Sequence, residues 1–565
     1  MYNYNNPNKK NNTKAWAPKP EKPFVNKSRK TSFMDKVEKT AKGYYTNIAV
    51  PSLPADKQYT SNGAIAYKSS GSALLDINTS IAALRSLPDG EVIKKFRAAY
   101  SENPRLAIRW LFYASDVRGG HGERRLFKVC LKDMMNNGGA QIVANLIPMI
   151  PEYSRWDYIY AVMDNPITKP VVCEIIRKQW KEDMANMKKG KSISLMSKWL
   201  KSASSHSHDT RKLGLKTMDI LGLTEREYRK GLSAMRKHLD VVERKMSSQN
   251  WQSINYEAVP SKANLNYNKA FLRNDEERRR AYLDALTKGE AKINSTVANP
   301  CDIVHKYTNS CGRIPYKSDA ALEGMWKSLP NLVTDDSSTI VVADGSGSMC
   351  TTIGNTHMTA LEVANALAIY FAERAKGAYK GRYITFSARP QMVNVNHGSL
   401  RENLIEASRH NEVANTNLEA VFDLILETAI KHHSPQSDLP KNILIISDGG
   451  WDSMVNIRSN STGNYWWNTG TRATAQEAPA FLKSIEQKYR AASYKMPMIL
   501  FWNVCSRGST NNGLPMTKND YGIMVSGFST NTLKMILSGK TNPWDALMEV
   551  VLDKRYDKIE ELAFE

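Results

Sequence analysis

One stretch decides the fold of the second half of this chain of 565 residues: Ile340-Val341-Val342-Ala343-Asp344-Gly345-Ser346-Gly347-Ser348. A short apolar run that ends in a polar loop is typical of a buried parallel strand, and open α/β sheets place their ligand sites at the carboxyl ends of such strands. The run Ile443-Leu444-Ile445-Ile446, followed by Asp448, has the same form. The two runs predict a parallel sheet with a ligand site formed by loops at one edge.

The polar loops of this predicted sheet offer only hard oxygen ligands. Asp344, Ser346 and Ser348 form a D-x-S-x-S pattern, and Thr416 and Asp448 are expected from neighbouring loops. Such ligands suit an octahedral Mg²⁺ that keeps water molecules and leaves one position for an oxygen of an acidic partner. These five residues predict a site for one Mg²⁺, although Ser-Gly-rich turns also occur in loops that bind nothing.

This set of ligands has the pattern of a metal-ion-dependent adhesion site, and residues 331–565 resemble a von Willebrand factor A domain. The resemblance implies a doubly wound, Rossmann-like α/β sheet. Gly345 departs from the family pattern, which usually has an apolar residue at this position. Further apolar runs predict a helix over about 359–376 and strands at 382–387, 391–395, 496–504 and 522–525.

The charge of the chain is strongly uneven. The whole chain has 78 Lys and Arg residues against 56 Asp and Glu, a net charge of +22. Residues 1–330 hold 56 of the basic and 32 of the acidic residues, whereas residues 331–565 hold 22 and 24. An excess of positive charge that is confined to one half of the chain indicates a polyanionic partner, most often nucleic acid. Packing against an acidic protein gives the same pattern of charge.

The chain begins with a segment of unusual composition. Residues 1–57 start with a stretch rich in Asn, Lys and Pro, which has too few apolar residues to offset the entropy of ordering. We therefore expect a disordered basic arm. Its aromatic residues either stack on unpaired bases or belong to an inert solubilising tail.

Composition also excludes some classes of protein. Hydrophobic residues make up 41% of the chain, as in an ordinary soluble protein, and no apolar stretch is long enough for a membrane span. No secretory pattern precedes the first domain, and the six cysteines are scattered, which indicates reduced thiols. We expect a cytoplasmic monomer without a membrane partner, associated with virions if the protein is viral.

Residues 58–330 show helical rather than strand patterning. The segment from Val92 to Tyr100 has apolar residues at helical spacing, and Asn103-Pro104 predicts the start of the next helix. Similar segments follow one another with short polar connectors. Their succession, without a clean sequence period, predicts a HEAT-like helical-repeat domain with a long curved surface.

Several motifs in this region resemble the domain of unknown function 2828 family: Asp116-Val117-Arg118-Gly119-Gly120-His121-Gly122-Glu123-Arg124, Ser154-Arg155-Trp156-Asp157, Lys198-Trp199-Leu200 and Glu227-Tyr228-Arg229-Lys230. That family is similar in turn to the TROVE/Ro family, whose members join a ring of helical repeats to a von Willebrand factor A domain. The resemblance covers about residues 60–560. It implies a Ro-like RNA-binding protein that takes structured small RNAs or single-stranded RNA ends.

The predicted RNA contacts are cations of the helical region. Arg118, His121, Arg124 and Arg125 lie in or beside a glycine-rich turn at a helix start, where phosphate binding is favourable. A tight helix–helix turn whose Arg side chains bond neighbouring carbonyls is the alternative. The other predicted contacts are Lys198, Arg229, Lys230, Arg278, Arg279 and Arg280.

No catalytic pattern stands out in the sequence, so we expect a protein that is not an enzyme. The cluster His206-Ser207-His208-Asp209 is explained by a helix cap at least as well as by a metal. The first functional hypothesis is a Ro-like RNA-binding protein whose A domain docks a partner through Mg²⁺. The second is a metal-dependent adaptor between proteins, or a viral structural or assembly component, without RNA binding.

Overall fold

The computed structural model describes most of the chain after the predicted basic arm. The described residues are 54–59, 65–294, 298–308, 314–333, 338–354, 356–386, 390–411, 418–448, 478–505, 514–536 and 538–565. The arm lies outside them up to residue 53. Lys57, the last residue of the predicted arm, begins strand β1 (Lys57–Tyr59), which pairs antiparallel with β2 (Ile65–Tyr67).

The helical half, residues 65–333, consists of helices whose starts follow from local capping. Asn103 accepts a hydrogen bond of 3.1 Å from the backbone N–H of Leu106, and Pro104 takes the first helical position. Thr224 and Glu227 form a capping box at a later helix. The α-helices are Ala73–Thr79, Ile81–Leu84, Asp89–Glu102, Pro104–Ser115, Arg125–Asn136, Ala140–Leu146, Ile150–Tyr153, Thr168–Lys188, Met196–Trp199, His208–Leu221, Glu225–His238, Val242–Ser247, Ser261–Asn274, Glu276–Lys288, Pro300–Tyr307 and Ala320–Lys327.

The sheet half, residues 338–565, contains a six-stranded sheet with the order β5-β4-β3-β6-β7-β8. Its strands are parallel except β5, which pairs antiparallel with β4. The strands are β3 (Thr339–Asp344), β4 (Arg382–Phe386), β5 (Met392–Asn394), β6 (Asn442–Ser447), β7 (Met498–Asn503) and β8 (Ile523–Ser526).

Helices accompany this sheet, and the strand positions agree with the apolar runs of the sequence. The helix after β3 begins with a capping box of Thr359 and Glu362 and buries most of its side chains. The α-helices of this half are Ala360–Arg374, Leu400–Arg409, Leu418–Lys431, Ala478–Ala491, Leu533–Ile536, Pro543–Val551 and Asp557–Phe564. The predicted fold class, a helical region followed by an α/β domain, is therefore confirmed. The HEAT-like type of the repeat stays a prediction.

The two halves share one hydrophobic core, which runs from Leu74 to Ala563. The last helix, Asp557–Phe564, packs on the helix Pro104–Ser115. Arg109, of which 4% is exposed, donates hydrogen bonds of 2.9 Å to the carbonyl of Val551 and 2.7 Å to Asp557. The C-terminal segment thus fastens the end of the sheet half to an early helix. Among the described residues, every helix is too short or too polar to cross a lipid bilayer.

Candidate metal site and nucleic-acid interface

The sheet places the two predicted acidic metal ligands next to each other. Asp344 ends β3 and Asp448 directly follows β6, and these strands are parallel neighbours. Both residues are only 1% exposed. Asp344 accepts a hydrogen bond of 2.9 Å from the N–H of Ser346 and one of 2.7 Å from the hydroxyl of Ser447. Ser447 is a part of the site that the sequence pattern did not reveal.

The two predicted serine ligands also converge. The 3₁₀ turn Gly347–Cys350 brings the hydroxyl oxygens of Ser346 and Ser348 to 2.8 Å from each other. Among the described residues, no group of three or more His, Cys, Asp or Glu side chains is arranged to hold a metal. A metal at this edge therefore depends on the serine hydroxyls. Thr416, the fifth predicted ligand, lies outside the described residues.

The electrostatics of the edge favour a cation. The pKa of Asp344 is raised to about 6, chiefly by burial. Hydrogen bonds from Ser447 and Ser346 act in the opposite direction, and the charge of Asp448 adds a smaller upward contribution. Two carboxylates buried side by side are stabilised by a bound divalent ion, which offsets both the desolvation and the mutual repulsion. The all-oxygen donors and the paired buried carboxylates fit Mg²⁺.

The loop after the serines packs against the helical half. Gly354 has a φ of +51°, and a Cβ atom there would lie 2.8 Å from the Cβ of Arg85. Arg85 in turn donates a hydrogen bond of 2.7 Å to Glu123 of the glycine-rich turn. Further along, Glu362 lies 3.0 Å from the ring of His305. The metal-site loop and the first turn of the helix that follows it therefore each contact the helical half.

The glycine-rich turn, residues 116–124, lies at the interface of the two halves. The carboxylate of Asp116 is fully buried and accepts hydrogen bonds from the guanidinium of Arg555 and from the hydroxyl of Tyr556, the latter of 3.1 Å. Arg118 also donates its backbone N–H to this carboxylate, over 2.9 Å. The turn is thus a structural contact between the two halves, which neither interpretation of its sequence anticipated.

The glycines of the turn permit this close packing. A Cβ atom on Gly120 would lie 1.7 Å from the carbonyl oxygen of Tyr113. The carbonyl of Gly120 accepts hydrogen bonds of 3.0 Å from Ser529 and 2.8 Å from Asn531. The sequence suggested that the glycines let the backbone approach a phosphate. In the structure they let it approach the sheet half of the same chain.

The predicted RNA contacts in and beside this turn therefore fall into two groups, those that are buried or partly buried and those that are exposed to solvent. The side chain of His121 is buried, so its assignment as an RNA contact was wrong. Burial, with a smaller contribution from Arg85, lowers its pKa to about 3. Arg125 donates hydrogen bonds of 3.0 and 2.7 Å to the carbonyls of Leu84 and Leu87. Arg118 and Arg124 remain exposed.

The three arginines of the run Arg278-Arg279-Arg280 likewise differ in exposure. Arg279 is 0% exposed, donates a hydrogen bond of 2.9 Å to Asn268 and lies 4.8 Å from the ring centre of Tyr256. Its assignment as an RNA contact was wrong, because successive helical residues point in different directions and the middle one faces the core. Arg278 and Arg280 are exposed, and each pairs with an acidic residue 2.8 Å away.

Arg229 and Lys230, two further predicted contacts, belong to a basic stripe on the helix Glu225–His238. The stripe comprises the exposed residues Arg226, Arg229, Lys230 and Lys237, opposite a buried face that includes Tyr228 and Leu232. Within the part of the chain that the structure describes, none of the four makes an ion pair. Lys198, on the neighbouring helix Met196–Trp199, lies 3.7 Å from Glu243.

The helical half also matches a family model. Residues 60–157 and 210–338 match the model described as Domain of unknown function (DUF2828). This match agrees with the family resemblance of the motifs, leaves out residues 158–209 and ends at residue 338, whereas the motif resemblance covers about residues 60–560. Residues 338–561 match a second model, Domain of unknown function (DUF7788), which covers the sheet half.

Two individual proteins are similar to most of the chain. Uncharacterized protein L728 of Acanthamoeba polyphaga mimivirus is 27% identical over 537 residues, which covers 88% of this chain and 87% of the viral protein. The crystal structure of the Deinococcus radiodurans RO (RSR) protein covers 87% of this chain and 92% of its own, with 13% identity and a TM-score of 0.33. A TM-score this low carries no argument about function.

Proposed function

We propose that this protein binds RNA through its helical half and docks an acidic partner at a Mg²⁺ held by its sheet half. The observation that carries the RNA proposal is the basic stripe. Arg226, Arg229, Lys230 and Lys237 share one exposed helix face. Four cations held together in this way repel one another, and a row of phosphates relieves the repulsion.

The stripe lies in the most basic part of the helical half. Residues 166–249 contain 19 Lys and Arg against 9 Asp and Glu. The sheet half, residues 338–565, is neutral, with 22 basic and 22 acidic residues. A positive electrostatic field over one region attracts a polyanion to that region. Binding then releases the counterions that were condensed on the polyanion. The motifs resemble the DUF2828 family, which is similar in turn to the TROVE/Ro family, and this resemblance supports RNA as the polyanion.

The metal proposal rests on the convergent oxygens at the carboxyl edge of the sheet. Asp344, Ser346, Ser348 and Asp448, together with Thr416, would hold the ion. When bound, Mg²⁺ supplies a coordination position for a carboxylate oxygen of a partner. The chain itself orients the two serine hydroxyls and keeps both carboxylates out of bulk water.

The same edge favours a second candidate function, an adaptor that binds proteins and no RNA. Neutral hydroxyls leave the ion short of negative charge, so an acidic side chain is the ligand that it attracts. This function and the RNA function make opposite predictions about the basic stripe, since an adaptor of this kind retains its partner when the stripe is reversed.

Reversal of the basic stripe to Glu tests the RNA proposal. We expect the wild type to bind a mixed-sequence RNA with an affinity that falls steeply with salt. The fourfold variant should bind about tenfold or more weakly at low salt, and the slope of log affinity against log salt should fall by about 3, because each lost phosphate contact removes about 0.7 from it. Fluorescence anisotropy over a salt series measures both quantities.

A matched control reverses the same number of exposed lysines on the sheet half. It should bind RNA with the wild-type affinity and salt slope, because those lysines lie outside the proposed surface. Equal losses in the two variants would mean that RNA binding reflects net charge alone, and would contradict the assignment to the helical half. The control positions are Lys380, Lys431, Lys441 and Lys558.

A further inference from the structure

An arginine lies against a tryptophan in the helical half, away from the metal site. The guanidinium carbon of Arg155 is 3.7 Å from the ring centre of Trp199. Asp157 fixes the guanidinium in place, because it accepts hydrogen bonds of 2.9 Å from Nε and 2.6 Å from Nη2. Both Arg155 and Trp199 remain partly exposed. The pair thus presents a preorganised cationic and aromatic surface to solvent.

Further cations surround this pair. The Nζ of Lys198 lies 5.8 Å from the ring centre of Trp199, and that of Lys128 lies 5.5 Å from the ring centre of Tyr158. Lys201 donates a hydrogen bond of 3.1 Å to Asp157. Asp157 therefore accepts hydrogen bonds from two cations, Arg155 and Lys201, and the cluster keeps a net positive charge.

Lys128 connects the cluster to an open groove of about 780 Å³ beside the helix Arg125–Asn136. Lys128 and Lys132 line the groove and are exposed. The acidic residues that line it, Asp89 and Asp164, are already paired with Arg125 and Lys216. The two lysines are thus the charges that the groove offers to a ligand.

We infer that the Arg155–Trp199 pair stacks one unpaired base of a single-stranded RNA, while Lys128 and Lys132 contact the phosphates of the adjoining nucleotides. The inference rests on the proposed RNA function and adds a stacking site and the preference of that site for unpaired bases. Arg guanidinium planes and aromatic rings both stack on exposed base faces, and lysines follow the backbone.

The geometry favours an unpaired strand over a duplex. In an RNA duplex each base face is covered by its neighbours, and side chains meet backbone and groove edges instead. A flat guanidinium and ring have nothing to stack on there. The site therefore distinguishes the two forms of RNA, whereas the exposed cations of the basic stripe can contact the phosphates of either form.

Trp199→Ala and Arg155→Lys test the stacking. The probes are a short oligoadenylate carrying the fluorescent base 2-aminopurine and a duplex of the same length. We expect each variant to lose about tenfold in affinity for the single strand, a fold-change that corresponds to about 1.4 kcal/mol, and less than about twofold for the duplex. The quenching of 2-aminopurine on binding should also decrease in both variants.

Arg155→Lys keeps the charge and removes the planar group, so it separates stacking from simple attraction. If circular dichroism shows that Trp199→Ala is unfolded, Arg155→Lys and Lys128→Ala test the site instead. Because Lys128 is exposed and contacts phosphates in the proposal, Lys128→Ala should lose affinity for the single strand but leave the quenching of 2-aminopurine unchanged. Failure of the wild type to bind either RNA would overturn the RNA function itself. Binding by the wild type with unchanged affinity and quenching in Arg155→Lys would overturn the stacking site alone.

Discussion

Replacement of Arg555 by leucine is expected to weaken the interface of the two halves by about 3 kcal/mol, because it leaves the wholly buried carboxylate of Asp116 without its cation. The hydrogen bonds of Asp116 to Tyr556 and to the N–H of Arg118 persist, which keeps the loss at the lower end of the range for a broken buried pair. The hydrogen bonds that Arg555 donates to Asp116 raise the pKa of its guanidinium, so its charge persists at any ordinary pH.

The thermal unfolding midpoint and limited proteolysis measure this effect. The variant should melt earlier than the wild type, and the segment 552–565 should be cleaved first, since it carries Arg555 and packs on the helix Pro104–Ser115. Lys554→Leu is the matched control, as this neighbouring cation is exposed. Equal melting and cleavage of the two variants would show that the ion pair does not hold the halves together.

Replacement of Asp344 by asparagine is expected to abolish Mg²⁺ binding. It removes one of the two buried carboxylates of the site while keeping the size of the side chain. Isothermal titration with Mg²⁺ alone should show one site in the wild type and none in the variant. Because a ligand that binds only the folded state stabilises it, excess Mg²⁺ should raise the melting temperature of the wild type and leave that of the variant unchanged.

The variant has a second expected property. Without metal it should be at least as stable as the wild type, because burial disfavours the charged form of Asp344, whose pKa lies near 6. Asp438→Asn, an exposed change before the amino end of β6, should retain the full response to Mg²⁺. A wild type that gains nothing from Mg²⁺, or a variant that gains as much, would contradict the assigned ligands.

The strands and the metal-site edge could be predicted from sequence because their causes are local. The run before Asp344 is apolar at every position, as a strand buried on both faces requires, and the polar loop follows it directly. Parallel pairing of β3 and β6 then brings Asp344 and Asp448 together without further information. Ser447 remained hidden, since a serine at a strand end does not reveal which carboxylate it bonds.

The glycine-rich turn could not be interpreted from its own residues. Its partners Arg555 and Tyr556 lie more than 400 positions later in the chain, and glycines that admit a phosphate look the same in sequence as glycines that admit a carbonyl. Arg279, in contrast, could have been excluded. It shares its helical face with Leu283, which is also buried, so the helical period alone places it inside.

The central claim is that RNA is bound by the helical half and not by the sheet half. Ultraviolet crosslinking of the full-length protein to RNA, followed by mass spectrometry of the crosslinked peptides, tests it most directly. We predict crosslinks in peptides from residues 124–245, which hold the basic stripe and the Arg155–Trp199 pair. Crosslinks confined to residues 338–565, or none above the background of an unrelated basic protein, would contradict the claim.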